Sequence, residues 1–219
     1  MATYKQGFLG SFSGKLGNVI GTFWKGISVM RVVPANVTNP NTLAQQAQRN
    51  KFKLLSAFLS ANAKFFKIGF GAMDKKMSQL NAAMKANFSA AIKGTFPDFS
   101  IDTTKLTVSK GQLPGLEGFT AEPGTNAVSL AWTDNSSVAG AAASDTINVA
   151  VFDEDTGESV TILQVAERLD EMASVPLPAG WTGKSVSVYA YLVNEDAAFG
   201  ISSPSQVSDP VSKSGITVG

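Results

Sequence analysis

The period of hydrophobic and polar positions changes twice along the 219 residues. From Gly7 to Pro34, glycines at 7, 10, 14, 17, 21 and 26 stand among aromatic and β-branched residues, a pattern of short strands and tight turns. Asn18 to Trp24, a Lys25-Gly26 corner and Ile27 to Val33 predict a β-hairpin. From Val37 the period becomes helical. Asn39-Pro40-Asn41-Thr42 reads as a turn, and Thr42 with Gln45 as a capping box opening a helix that runs to about Phe66. Phe52, Leu55, Leu59 and Phe66 form its apolar stripe, widened by Leu54, Phe58 and Phe65. Arg49, Lys53, Ser56, Ser60, Lys64 and Lys67 advance in steps of three and four along the opposite face, which aligns four cations.

Lys67 to Gly71 interrupts this helix, and a second is predicted from Met73 or Ser78 to Gly94, before Pro97. Met73, Met77, Leu80, Met84, Phe88, Ala91 and Ile92 keep the 3.6-residue period, so the pair is expected as an antiparallel helical hairpin with a Met-rich seam. Residues 95–117 are a transition containing a short strand at Leu106 to Ser109. Beyond it the period is two. Val128, Leu130 and Trp132 alternate with polar neighbours, as do Ile147, Val149 and Val151, and Val186, Val188, Ala190 and Leu192. The expected class is α+β: an N-terminal β-hairpin plus helical hairpin in residues 1–110, then an all-β immunoglobulin-like sandwich in residues 111–219.

Charge sharpens this division. Residues 1–110 hold 15 of the 18 Lys and Arg and only Asp74, Asp98 and Asp102, a net +12, whereas residues 111–219 hold three cations and 14 acids, a net −11. Opposite halves point to association, through nucleic acid on the basic half or through the acidic half of a neighbouring copy. Absence of Cys and His removes disulfides, thiol nucleophiles, imidazole catalysis and most zinc sites. Met1 to Gly14 lacks the apolar run of a secretion signal, and Lys64, Lys67, Lys75 and Lys76 interrupt the most hydrophobic region, so no membrane span is expected.

Candidate chemistry is sparse. Gly14-Lys15 falls short of a phosphate loop, because Leu16 stands where Ser or Thr is required and Leu9 where Gly is required. Asp153-Glu154-Asp155-Thr156-Gly157 reads as a hairpin turn; it lacks the later ligands of a calcium loop and a second Asp-Thr-Gly copy. Glu167, Asp170, Glu171, Glu195 and Asp196 read as exposed loop acids. No catalytic residue, metal site or cofactor is assigned, and the chain is expected not to be an enzyme.

Three resemblances extend these readings. Gly14-Lys15-Leu16-Gly17, Trp24-Lys25-Gly26, Val29-Met30-Arg31, Asn39-Pro40-x-Thr42-x-x-Gln45, Gln48-Arg49 and Ser109-Lys110-Gly111-x-Leu113 together resemble a family of uncharacterised proteins from Bacteroidota. The Asn39 to Arg49 helix start is also similar to segments of bacteriophage and prophage virion proteins. Trp132, Tyr189, Tyr191 and the trailing Asn194, Gly200 and Ser203 resemble a fibronectin type III or related immunoglobulin-like domain, which implies a module that binds, spaces or decorates.

The expectation is a self-assembling structural protein, a repeated component of a virion or comparable filament, located in the particle or in the cytoplasm before assembly. Phe23, Trp24 and Met30 are the candidates for its apolar contact, and Arg49, Lys53, Lys64 and Lys67 for its polar contact. Competing expectations are a nucleic-acid-associated protein using the same lysines, and an extracellular carbohydrate module with Trp181, Tyr189 or Tyr191 stacking on sugar.

Overall fold

A computed structural model describes residues 3–4, 10–36, 40–71, 77–194 and 207–219. Met73, Asn39, Lys75, Lys76, Glu195, Asp196, Gly200 and Ser203 lie outside the described residues. By compactness the chain divides between Leu43 and Ala44, whereas the charge reverses at 110/111.

The first unit is a four-stranded antiparallel sheet in chain order: β1 (Thr3–Tyr4), β2 (Phe12–Leu16), β3 (Val19–Trp24) and β4 (Ile27–Val32). The expected hairpin is β3–β4. Its corner suits the sequence, since Lys25 (φ 47°) and Gly26 (φ 79°) are both left-handed, as a two-residue turn matched to strand twist requires.

The second unit contains a seven-stranded sandwich. One sheet orders β11 (Met172–Pro176), β8 (Ala127–Thr133) and β7 (Glu117–Gly124). The other orders β10 (Ser159–Glu167), β9 (Thr146–Asp153), β12 (Ser185–Val193) and β13 (Val211–Thr217). The alternating residues meet between the sheets as expected: Val128, Leu130 and Trp132 pack with Ile147, Val149, Val151, Val186, Val188, Ala190 and Leu192. Here the class expectation is met in its coarser form, a mostly β protein built on a sandwich with a few helices.

The four-stranded sheet is buried on its other face as well. All eight residues of β9 are buried, and Phe152, Tyr189, Tyr191 and Val193 point away from the sandwich core into a second cluster with Leu55, Phe58, Leu59, Phe65, Phe66 and Phe70. Helices therefore form a third layer over β9 and β12, as they do over sheets whose strands lack a solvated face. Tyr191 donates to the Phe65 carbonyl at 2.7 Å, and its ring lies 4.9 Å from that of Phe65. Tyr189 donates to the Thr103 carbonyl at 2.8 Å and accepts from the Leu106 amide at 3.1 Å.

The helices differ from the expected hairpin in three respects. The first ends early: α1 (Leu43–Ala61) stops before Asn62, and α2 (Ala63–Gly69) follows. Asn62 donates to the Phe58 carbonyl at 3.1 Å and accepts from Ser159 Oγ at 2.6 Å, so a buried polar side chain competes with the helix ladder there. The second helix, α3 (Gln79–Asn87), is capped by Ser78 and ends at Asn87, whose amide group bonds both the Ala83 carbonyl (2.9 Å) and the backbone of Thr107 (2.8 Å). Ile92–Thr95 is not helix but β5, paired with β6 (Asp98–Ile101). The third difference is Phe52, expected in the apolar stripe and found 56% exposed. Leu106 to Ser109 is extended without being a strand; it runs through the second core, where Val108 is fully buried. No described helix is long and apolar enough to cross a membrane.

Candidate assembly surface

The β3–β4 hairpin is built from β-branched and aromatic residues in unbroken register, from Trp24 opposite Ile27 to Val19 opposite Val32. Gly21 sits opposite Met30, where a Cβ would overlap the backbone carbonyl and ring of Phe12, so glycine is required for β2 and β3 to close over Phe12. Phe12 is the one buried apolar side chain among the described residues of this unit. Successive strand residues point to opposite faces, yet all six residues of β4 are exposed, so neither face of the strand is covered. Ile27, Val29, Met30 (67% exposed) and Val32 (70% exposed) lie on it, and Phe23 and Trp24 lie on its neighbour.

Strand β4 is also the edge of its sheet. The Val33 amide bonds the Asn18 carbonyl at 2.7 Å, which places 33, 31, 29 and 27 in the hydrogen-bonded pairs with β3. The amides and carbonyls of Ser28, Met30 and Val32 consequently point outward. Natural edges are usually blunted by short length, proline or several charges. This one has six residues, four of them large and apolar, and a single cation, Arg31.

The polar candidates lie elsewhere. Arg49 and Lys53 are exposed on α1, Lys64 and Lys67 are exposed on α2, and the break at Asn62 separates the two pairs. The aligned run of cations expected from a continuous helix is thus divided. Phe23, Trp24 and Met30 are brought together on one hairpin, and Lys25 reaches back over the Trp24 ring at 5.4 Å.

The acids of the sandwich serve its own structure in two places. Asp153 to Gly157 is the turn between β9 and β10. Burial alone would raise the Asp153 carboxyl, but hydrogen bonds from Lys184 Nζ (2.7 Å), Thr156 Oγ1 (2.7 Å) and two turn amides hold it at about 2. Burial would likewise raise Glu154, and the Ser187 and Ser185 hydroxyls and the Gly215 amide bring it below its ordinary value. At the opposite end of β10, Arg168 and Asp145 form a fully buried ion pair at 2.9 Å. Burial pushes the Tyr189 hydroxyl up to about 12. Trp181, Tyr189 and Tyr191 are all buried, so none presents a ring for stacking on sugar.

A second exposed strand edge was missed by sequence reasoning. β11 borders the three-stranded sheet, with the Trp132 amide bonded to the Glu171 carbonyl at 3.0 Å and the Leu177 amide to the Asn126 carbonyl at 2.8 Å. Its outward groups therefore belong to Met172, Ser174 and Pro176. Met172 is 71% exposed, and the exposed Glu167, Asp170 and Glu171 precede it. The available signal was two large apolar residues, Leu169 and Met172, left outside any core pattern among acids.

Residues 11–204 match the family of unknown function DUF6266. Among solved structures, the chain is similar to the fn3 domain of human collagen alpha-1(XX) chain, at 12% identity, TM-score 0.32, covering 50% of this chain and 90% of that one. The fn3 domain of human contactin 1 is similar at 10% identity, TM-score 0.29, covering 58% and 94%. None of the curated proteins matches.

Proposed function

We propose that this chain, which belongs to the family of unknown function DUF6266, is a non-enzymatic structural protein that assembles with copies of itself. The observation that carries this reading is the apolar edge strand β4, exposed on both faces in a unit whose one buried apolar side chain among the described residues is Phe12. Such a surface is stable in water only at low concentration or when covered. A repeated place in a bacteriophage virion or a comparable bacterial filament fits an assembling chain. The titratable groups buried in the sandwich support a structural role, because Asp145, Asp153 and Arg168 are each consumed by ion pairing and backbone hydrogen bonds. Electron microscopy of the purified full chain tests the reading. Ordered polymers or closed oligomers that survive nuclease are expected, and isolated protomers at all concentrations would refute it.

One observation favours a second reading. Phe52 is exposed on α1 beside the exposed Arg49 and Lys53, which combines an aromatic face with cations as single-stranded nucleic acid binding requires. Mobility shifts at two salt concentrations separate the readings, since phosphate contacts weaken steeply with salt and a protein polymer is untouched by nuclease.

A further inference from the structure

We infer that the occupant of the β4 edge is strand β11 of a second copy, paired antiparallel with Met30 opposite Met172. The inference rests on the assembly reading and names its contact.

Three independent features of the two edges agree in this register. The first is hydrogen-bond parity. On β4 the outward groups belong to the even residues 28, 30 and 32, and on β11 to the even residues 172, 174 and 176. Placing Met30 opposite Met172 sets Ser28 opposite Ser174, so outward donors and acceptors meet on both strands, while a shift of one residue would match none. The second is charge. Among the described residues of the first unit the charged side chains are Lys15, Lys25 and Arg31, with no acid. The approach to β11 carries Glu167, Asp170 and Glu171 exposed, and its one cation, Arg168, is neutralised inside by Asp145. The register puts Arg31 opposite Glu171. Pairing β4 with β4 of a second copy would instead bring two acid-free cationic units together.

The third is side-chain polarity. Ala173 and Val175 face the interior side of the three-stranded sheet, and Val29 and Ile27 fall opposite them, extending an apolar face. Met30 and Met172 meet on the outer side, where each is now exposed to water. Main-chain bonds supply the affinity of such strand addition and alternate side chains its register. Because the two edges differ, the contact is head-to-tail and repeats, giving a ring or a filament according to its rotation.

The chain contains no cysteine, so single introduced thiols report the pairing directly. Directly opposite residues lie about 5.5 Å apart at Cα in a hydrogen-bonded antiparallel pair, within disulfide reach. Full-length Met30→Cys and Met172→Cys proteins are mixed, oxidised and read on non-reducing gels, with Arg31→Glu and Glu171→Lys made in the same backgrounds. The expected result is a 1:1 cross-linked species about tenfold more abundant than either protein gives alone, lost with either charge reversal and restored when both are combined. If Met30→Cys cross-links to itself as readily as to its partner, or the uncross-linked chain assembles while the mixture gives no disulfide, this pairing is overturned and the assembly reading stands. If the chain without introduced thiols is monomeric at every concentration, both are overturned.

Discussion

Replacing Arg168 with Met removes the most heavily bonded buried side chain of the sandwich while keeping its alkyl bulk. The guanidinium is fully buried and donates to Asp145 Oδ2 from Nε (3.2 Å) and Nη2 (2.9 Å), to the Pro114 carbonyl (2.8 Å) and the Gly115 carbonyl (3.4 Å), and to Asn135 Oδ1. These partners come from the approach to β7, the loop after β8 and the start of β9, so Arg168, at the end of β10, ties its own segment to three others. The substitution leaves the Asp145 carboxylate in the interior with two remaining donors, the Ala142 amide (2.9 Å) and Asn194 Nδ2 (3.0 Å). The Gly115 carbonyl keeps Asn135 Nδ2 at 2.9 Å. Breaking a buried ion pair by removing one partner costs about 3 to 5 kcal/mol, and the two surviving donors set the expectation near the lower end. With a urea dependence of about 2 kcal/mol per molar, the unfolding midpoint falls by about 1.5 to 2 M. Asp145→Asn in the same protein costs a similar amount. The double variant costs less than the sum by about 1 to 3 kcal/mol, because the second change relieves the charge the first left behind. A loss below about 1 kcal/mol for Arg168→Met, or strict additivity of the pair, would refute the account of this cluster.

Other consequences are measurable in the same way. The ordinary value of 3.8 for Asp153 is depressed to about 2 in the folded chain, so its contribution of about 2 kcal/mol is complete above pH 4 and is lost as pH falls toward 2. Chemical denaturation across that range should show the loss, and Asp153→Asn should flatten it. Tyr191→Phe removes the bond to the Phe65 carbonyl and costs about 1 kcal/mol, whereas Phe66→Ala empties the fully buried helix-to-sheet layer and costs about 3 to 5 kcal/mol by thermal unfolding. Gly21→Val forces β3 away from Phe12 and should abolish assembly while leaving the unfolding transition of the sandwich in place, checked by circular dichroism and light scattering together. Reversing Lys53, Lys64 and Lys67 to Glu should leave assembly intact, since the contact lies on β4; a nucleic-acid-binding chain would lose its mobility shift instead.

Local period was enough to locate the β3–β4 hairpin and the strands β8, β9 and β12, because each pairs an alternating apolar set with turn residues at its ends. It was not enough to show that β9 and β12 are buried on both faces. Tyr189 and Tyr191 fall on the face opposite Val186, Val188, Ala190 and Leu192, and the helices packed there supply the second core for their rings and, with the Thr103 segment, the carbonyls that satisfy their hydroxyls. The helix boundaries were hidden for a related reason. Asn62 and Asn87 end their helices through bonds to Ser159 and Thr107, partners 97 and 20 residues away, so a period read along the chain runs straight through both. Lys25-Gly26 was a weak turn signal by composition, and the left-handed φ of both residues made it a true hairpin turn. Of the contact surface, Phe23, Trp24 and Met30 were legible as apolar residues of the predicted glycine-rich hairpin. The β11 edge was not, since nothing in Met172 to Pro176 distinguishes an edge strand from a central one until its neighbours are placed.

The most direct test of self-assembly through β4 is sedimentation velocity of the full chain beside Met30→Pro over a dilution series at low and high salt. Proline at that position removes an amide that points away from β3, so the sheet's own ladder is kept while the outward edge is blocked. Large, concentration-dependent species for the unmodified chain, shrinking with salt and absent for Met30→Pro, are predicted; a monomer for both proteins under every condition, or equal assembly by both, would contradict the account.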